Sequence, residues 1–373
     1  MKIGIPKEIK DQEGRVALTP TAVRQLVQGE HEVRVEQGAG LGSGFADAEY
    51  LAAGARLVEA KAAWDSELVI KVKEPLHAEY GYLKGQILFT FLHLAGVPKA
   101  LTERLLETKT TGIAYETLED AQGALPLLAP MSAVAGNMSA LMGAYYLARF
   151  RGGSGVQLGQ VLGKRHGDVL VIGDGVVAYH AARSAHGLGA NVTVAALDLK
   201  KAERMHSEIG QDLIVVESSP ETIARHARES DLLIGAVLRR GAKADFVVSE
   251  SVIKSLRPGS VVVDVSIDQG GCIETSRPTS HSDPVYETHE VIHYCVTNMP
   301  GAYPRTSTLA LTEAVLPYAL RLADHGLEAL QDDPGFAKAL NTCRGFITCQ
   351  PVADDLGLKA HFRPFEQLSP CEV

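Results

Sequence analysis

Val169–Ile172 is a run of apolar residues that reads as a buried strand, and it leads straight into Gly173-Asp174-Gly175-Val176-Val177-Ala178. Small and apolar residues at helical spacing follow as far as Gly187-Leu188-Gly189, which stops the helix, and a second apolar strand begins at Val192. Strand, glycine turn, helix and strand in that order make a βαβ unit, which commits this part of the chain to a parallel sheet. The same order suits a dinucleotide. Gly173 permits the tight turn, Gly175 lets the backbone approach a pyrophosphate, and Ala178 keeps the helix close to the sheet. The amides of the first helical turn, around Val176 and Val177, then hold the phosphate charge. Glycine turns alone are common, but one flanked by both strands and the helix reads as a dinucleotide site.

Composition narrows the class. The chain has 373 residues, enough for about two domains with cores of their own. It is 46% apolar and 22% charged, an ordinary globular balance. A net charge of -9 argues against nucleic acid as a partner. Met1–Glu8 holds no apolar signal core, and no apolar run approaches the ~18 residues of a membrane span, so no membrane role is expected. Cys272, Cys295, Cys343, Cys349 and Cys371 are an odd set without metal-like clustering. They read as free thiols in a reducing compartment, with no metal site and a cytoplasmic address.

Residues 1–128 alternate short strands with helices. Lys2–Ile5, Glu32–Glu36, Leu68–Lys73 and Ile87–Phe91 are expected strands, and Thr19–Gln28, Asp47–Ala53 (with Asp47 as its cap) and Lys99–Glu107 are expected helices. Ser132–Arg149, apolar on most faces, reads as a long buried helix linking domains. Beyond the dinucleotide unit, Leu213–Val216, Leu232–Ala236, Ser260–Val265 and Val291–Val296 supply strands between helices at Glu221–Arg228 and Glu250–Leu256. Helices over Thr306–His325 and Pro334–Leu340 and a loop-rich tail close the chain. A helix returning after the last strand makes the first domain discontinuous. The expected domains are 1–128 with 305–373 for substrate and catalysis, and 129–304 for the dinucleotide.

Four segments outside the glycine turn carry chemistry. Arg15 precedes a helix start, and Lys71 and Lys73 end a strand on one face. His93 follows the apolar run Leu88–Leu92, and Asp264 and Asp268 end the buried strand before Gly270-Gly271. Ligands of open α/β sheets bind at the carboxyl ends of strands. Cations, a histidine and an acid there point to a small anionic substrate and proton transfer. Each residue also has a plain structural reading: His93 as core, the lysines as a solvated strand end, Asp268 as a loop cap, Arg15 as surface.

At these residues the chain becomes recognisable. IGIPKE (3–8), GRVALTP (14–20), GAGLGSGF (38–45), KVKEP (71–75), FTFLHLA (89–95), GIAYET (112–117), LPLLAPMS (125–132), DLLIGAVL (231–238), IDQGG (267–271), NMPGA (298–302) and PRTSTLALT (304–312) cover nearly its whole length. Together they resemble the alanine dehydrogenase family, within the group that includes nicotinamide nucleotide transhydrogenase and saccharopine dehydrogenase. The resemblance implies two Rossmann-like domains with parallel sheets flanking a cleft, a homohexamer, and reversible oxidative deamination of L-alanine to pyruvate and ammonium with NAD. It also implies that Arg15 and Lys73 bind the substrate carboxylate, His93 is the acid/base and Asp268 assists the imine chemistry. Tyr115, Glu116 and Met131 would line or support the site, and Ser132, Asn298 and Met299 would lie near the cofactor.

The chain departs from the family pattern in places. MSEVAGRM becomes Met131-Ser132-Ala133-Val134-Ala135-Gly136-Asn137-Met138, losing an acid and an arginine together. Arg239-Arg240 and Asp245 stand near GAKA, and Thr297 replaces an alanine. The family's second-strand acid falls where this chain has Ala196. Either a two-residue insertion brings Asp198 to the ribose, or that place is vacant and Lys200, Lys201 and Arg204 receive the 2′-phosphate of NADP. NAD is the expected cofactor, with NADP as the alternative. A same-mechanism dehydrogenase of another substrate, a non-catalytic dinucleotide-binding homologue and a transhydrogenase subunit are the competing functions.

Overall fold

The alternation of short apolar runs with amphipathic stretches becomes two mostly parallel sheets, each in its own unit of the chain. The structure is a computed structural model that describes residues 1–237 and 246–368. One unit holds residues 1–131 and the described residues from 301 on; the other holds the described residues between 132 and 300.

The chain starts with β1 (Lys2–Ile5), α1 (Pro20–Gln28), β2 (Glu32–Glu36), α2 (Asp47–Ala52), β3 (Arg56–Val58) and α3 (Ala60–Trp64). Next come β4 (Leu68–Ile70), β5 (Ile87–Thr90), α4 (Lys99–Glu107) and β6 (Thr111–Ala114). The helix α5 (Ala129–Leu147) begins in the first unit and continues into the second. The second unit has the hairpin β7 (Gly159–Val161) and β8 (Lys164–His166), then β9 (Asp168–Ile172), α6 (Val176–Leu188), β10 (Asn191–Ala196) and α7 (Leu199–Glu208). It goes on through β11 (Ile214–Glu217), α8 (Pro220–Ala227), β12 (Leu232–Gly235), α9 (Glu250–Ile253), β13 (Val261–Asp264), β14 (Val285–Thr288) and β15 (Val291–Tyr294). The helices α10 (Pro304–His325) and α11 (Pro334–Ala337), the strands β16 (Leu340–Cys343) and β17 (Phe346–Ile347), and α12 (Gln350–Asp355) belong to the first unit.

The first sheet has the order β17-β16-β6-β5-β4-β1-β2-β3 and is parallel from β6 to β3. Its strand order reverses between β1 and β4. The second has the order β11-β10-β9-β12-β13-β15-β14, parallel except for β14, and reverses between β9 and β12. Such reversals open a crevice beyond the carboxyl ends of the strands. β9, β12 and β13 are buried almost throughout, as strands covered on both faces must be.

Several expected boundaries shift. The strand expected over Leu68–Lys73 stops at Ile70, because the Glu8 carboxylate accepts from the amides of Val72 (2.6 Å) and Lys73 (3.2 Å). Ala46, not Asp47, precedes α2, and its amide donates to Glu49 (2.7 Å), while Asp47 accepts from the amide of Gly38 (2.9 Å). The expected tail contains β16, which pairs antiparallel with β6. Its polar residues hide it in sequence: Thr342 accepts from the Gly112 amide (3.0 Å) and donates to the Thr110 carbonyl (3.1 Å), which allows it to be buried. Among the described residues no helix is long and apolar enough to cross a membrane.

Candidate functional site

Because β1, β4, β5 and β6 are parallel neighbours, the segments that follow them leave from one edge of the first sheet. Arg15, beyond β1, is only 2% exposed. Glu13 grips it at two points: Oε1 accepts from Nε (2.7 Å) and Oε2 from Nη2 (2.5 Å). Arg15 Nη1 also lies 3.1 Å from the Met131 sulfur. A guanidinium held in this way keeps its charge and a fixed direction. Its loop is set by a crossing of two glycines: a Cβ on Gly42 would fall 2.5 Å from the Cα and carbonyl oxygen of Gly14. Thr308 of α10 secures the crossing, accepting from the Val16 amide (3.1 Å) and meeting Ser43 Oγ (2.7 Å).

The two lysines after β4 part company. Lys71 is fully buried, with Nζ 3.0 Å from Glu8 and 2.9 Å from Glu79 and 5.5 Å from the Trp64 ring. Burial pulls its pKa down, yet the two carboxylates outweigh this and raise it, so Lys71 stays charged as a structural ion-pair centre. Lys73 lies 3.7 Å from Glu74, whose other oxygen accepts from Lys10 (2.7 Å). Burial would push the Glu74 carboxyl up, but Lys73 and Lys10, helped by His93, hold it down at about 2.

His93 follows β5 and has φ +46, a backbone conformation uncommon for residues with a side chain. Glu116 stabilises it by accepting from the amides of His93 (2.6 Å) and Leu92 (3.2 Å). The imidazole stacks on Phe91 with 5.5 Å between centroids and 1° between planes, and it keeps partial exposure. It is not a core histidine. Tyr115 stands behind this stack, packed edge-on against Phe91 (5.0 Å) and Phe89 (4.5 Å), fully buried and with no hydrogen bond to its hydroxyl among the described residues. Its geometry is that of a support. A cavity of about 420 Å³ between Glu116, Pro334, Cys349 and Phe365 includes Glu116 but none of Arg15, Lys73 or His93.

In the second unit the glycine turn is built as a phosphate cradle. Gly173 has φ +132, and a Cβ there would come within 2.3 Å of the Ala236 carbonyl oxygen. A Cβ on Gly175 would meet nothing within 4 Å, so this backbone faces open space. Among the described residues no side chain caps α6, which leaves the first-turn amides at Val176 and Val177 for an anion. Ala178 is fully buried under the helix. The residues therefore fit a dinucleotide. α5 packs closely here, with Gly136 against the Val177 carbonyl and Asn137 accepting from Ser184 of α6 (2.8 Å). Asn137 thus makes a helix contact where the family has a charge. Ser132 lies half-buried in the first turn of α5.

Asp264, buried at the end of β13, accepts from the amides of Ser266 (3.0 Å), Cys272 (3.0 Å) and Ile273 (3.2 Å) and so shapes the loop that carries Asp268. Burial raises its pKa. Both oxygens of Asp268 accept from the Asn298 amide (3.1 and 3.3 Å), and Asn298 itself has φ +65. Met299 beside it is buried. The sequence named Asp268 and Asn298 separately; the fold joins them.

The expected ribose acid also has a structural task. β10 pairs in unbroken register with β9 as far as Ala195 and with β11 as far as Ala196. Asp198 lies beyond it as the cap of α7, its Oδ1 accepting from the amides of Lys200 (3.0 Å) and Lys201 (3.3 Å). Arg204 pairs with Glu208 (2.5 Å) and so is not part of an open basic cluster. Glu8, Glu13, Glu74 and Asp174 received no role from sequence. The only available signal for the glutamates was the need of buried cations for carboxylates. Arg239, Arg240 and Asp245, like Cys371, lie outside the described residues.

Residues 4–135 match the family profile for the alanine dehydrogenase/PNT N-terminal domain, and residues 139–350 match that for the C-terminal domain. The chain is 50% identical over 362 residues to alanine dehydrogenase of Mycobacterium tuberculosis strain H37Rv, covering 96% of this chain and 97% of the relative. It is 50% identical over 361 residues to alanine dehydrogenase of Bacillus subtilis strain 168, covering 96% and 95%. A solved L-alanine dehydrogenase superposes with a TM-score of 0.89 at 47% identity, over 96% of this chain and 99% of that one. A transhydrogenase from Sinorhizobium meliloti shares the fold at a TM-score of 0.78 and 24% identity, over 93% and 98%.

Proposed function

Since the chain belongs to the alanine dehydrogenase/PNT family, we propose that it catalyses the reversible oxidative deamination of L-alanine to pyruvate and ammonium, with NAD as its redox partner. The observation that carries the substrate assignment is Arg15, a buried guanidinium oriented by Glu13 in the unit that also holds Lys73 and His93. A small 2-oxo acid presents one carboxylate, and the fork of Arg15 with the ammonium of Lys73 neutralises it. Met131 packs against the guanidinium, while Tyr115 keeps Phe91 in place under His93.

Carbinolamine dehydration and imine hydrolysis each need a proton moved near neutrality, which is the range of imidazole. His93 takes that proton and returns it. The Asp268 carboxylate stabilises the cationic iminium. NAD, when bound, supplies the hydride chemistry. The amides of Gly175, Val176 and Val177 would hold its pyrophosphate, Gly173 and Ala178 would permit the close approach, and Ser132, Asn298 and Met299 would line the cofactor site. Asp198 would lie toward its adenosine end.

In this reading residues 1–128 with 305–373 form the substrate and catalytic domain, and 129–304 the NAD-binding domain. The enzyme works in the cytoplasm, whose reducing conditions suit the unbridged Cys272, Cys295, Cys343 and Cys349. It assembles as a homohexamer. An exposed apolar patch supports association: Leu141 and Tyr145 of α5 and Phe150, with Arg151 stacked 4.7 Å over Tyr145. The test is to follow NADH oxidation with ammonium and a panel of 2-oxo acids. Pyruvate should give the highest kcat/KM, and a clear preference for a larger 2-oxo acid would overturn the substrate assignment.

A further inference from the structure

The tip of β10 poses a problem that the glycine turn solves. An acid at the end of the second strand ordinarily takes the adenosine ribose hydroxyls of NAD and repels the 2′-phosphate of NADP. Here the strand ends on the buried methyl of Ala196. Asp198, two residues on and exposed, is engaged through Oδ1 as the cap of α7. A second carboxylate reaches the same place from the other side of the turn. Asp174, between Gly173 and Gly175, accepts at Oδ2 from the amides of Leu197 (3.1 Å) and Asp198 (2.8 Å), the two residues that follow the strand. Its Oδ1 carries no hydrogen bond among the described residues, and the side chain is half-buried.

We propose that Asp174 supplies the ribose-recognising acid of this chain and sets its preference for NAD over NADP. The acid has moved from the end of the second strand into the glycine turn, and it is anchored at the old position by the backbone of that strand's exit loop. Two consequences follow from the charge. Oδ1 can accept from a ribose hydroxyl, and the carboxylate opposes a 2′-phosphate that Lys200 and Lys201 would otherwise attract. This rests on the NAD-dependent reading given above.

The experiment measures dissociation constants of NADH and NADPH by nucleotide fluorescence for the full-length protein and two variants. Asp174→Asn keeps an acceptor for the loop amides and removes the charge, whereas Asp198→Asn keeps the α7 cap and removes the other charge. Wild type should prefer NADH. Asp174→Asn should narrow the NADPH-to-NADH ratio about tenfold, mainly by tighter NADPH binding, and Asp198→Asn should change it less. Far-ultraviolet circular dichroism verifies folding, and Asp174→Glu, which restores the charge, should restore the preference. A wild type that prefers NADPH, an unchanged ratio in Asp174→Asn, or a larger change in Asp198→Asn would overturn the proposal. A wild type that binds neither nucleotide would instead overturn the NAD-dependent reading, and this proposal with it.

Discussion

The guanidinium of Arg15 and the carboxylate of Glu13 form a two-point pair between residues one turn of loop apart, both almost wholly removed from solvent. The pair gives the guanidinium a fixed direction. It also makes two substitutions differ in kind. If Arg15 binds the substrate carboxylate as proposed, Arg15→Ala should cost roughly 1.5–3 kcal/mol of transition-state binding. It also strips the buried Glu13 of the guanidinium, and breaking a buried pair costs about 3–5 kcal/mol of stability. Glu13→Gln leaves the cation but loosens its aim. Steady-state kinetics should show a raised KM for pyruvate in both, with NADH binding retained; an unchanged KM in both would place the carboxylate elsewhere.

His93→Ala should lower kcat by on the order of 10²–10⁴-fold in both directions while leaving the dissociation constant of NADH nearly unchanged. The ring reaches its position through a left-handed backbone fixed by Glu116, so Glu116→Gln should lower kcat less than removal of the ring itself. Wild-type turnover in His93→Ala would leave His93 no part in proton transfer.

Glu74 links stability to pH. Its carboxyl is held at about 2 in the folded chain against an ordinary 4.5. A depressed carboxyl contributes stability that is complete above its unfolded pKa and fades as pH falls through the folded value. The contribution is on the order of 3 kcal/mol. Glu74→Gln should therefore lower the urea midpoint at neutral pH, and the difference from wild type should shrink as pH falls from about 4.5 toward 2. A difference that stays constant over that window would assign the loss to packing rather than charge.

Phe150 is 76% exposed and stacks edge-on with Tyr145. If the chain assembles as the proposed hexamer through this patch, Phe150→Glu should reduce the mass measured by light scattering below that of wild type. An unchanged mass would remove this patch from the assembly.

Much of the second unit was legible because β9, β12 and β13 are buried on both faces and read as unbroken apolar runs; β9 and α6 fall where the sequence puts them. Short strands such as β3 and β16 were not, since three exposed or half-exposed residues, or a buried run that mixes Leu340 and Cys343 with Asn341 and Thr342, carry no periodic signal. The same limit applied to chemistry. Arg15, Lys73, His93 and Asp268 stood out as charged groups at strand ends, but their carboxylate partners did not, because partnership depends on which strands lie side by side. Lys71 and Lys73 show this best. They are alike in sequence, yet Glu79 and Glu8 claim one of them for the core.

The crossing of Gly14 and Gly42 bears on how such an enzyme can be altered. Gly42 has no room for even one methyl group and Gly14 only a tight fit, so the loop with Arg15 and the loop around Gly42 are mutually moulded parts. Grafting the arginine segment alone onto a relative whose second loop runs differently would misdirect the side chain without changing its chemistry. Anyone recombining family members to alter substrate choice should exchange both segments together, with the start of α10 that clasps them. For inheritance, as for engineering, these distant stretches behave as one locus.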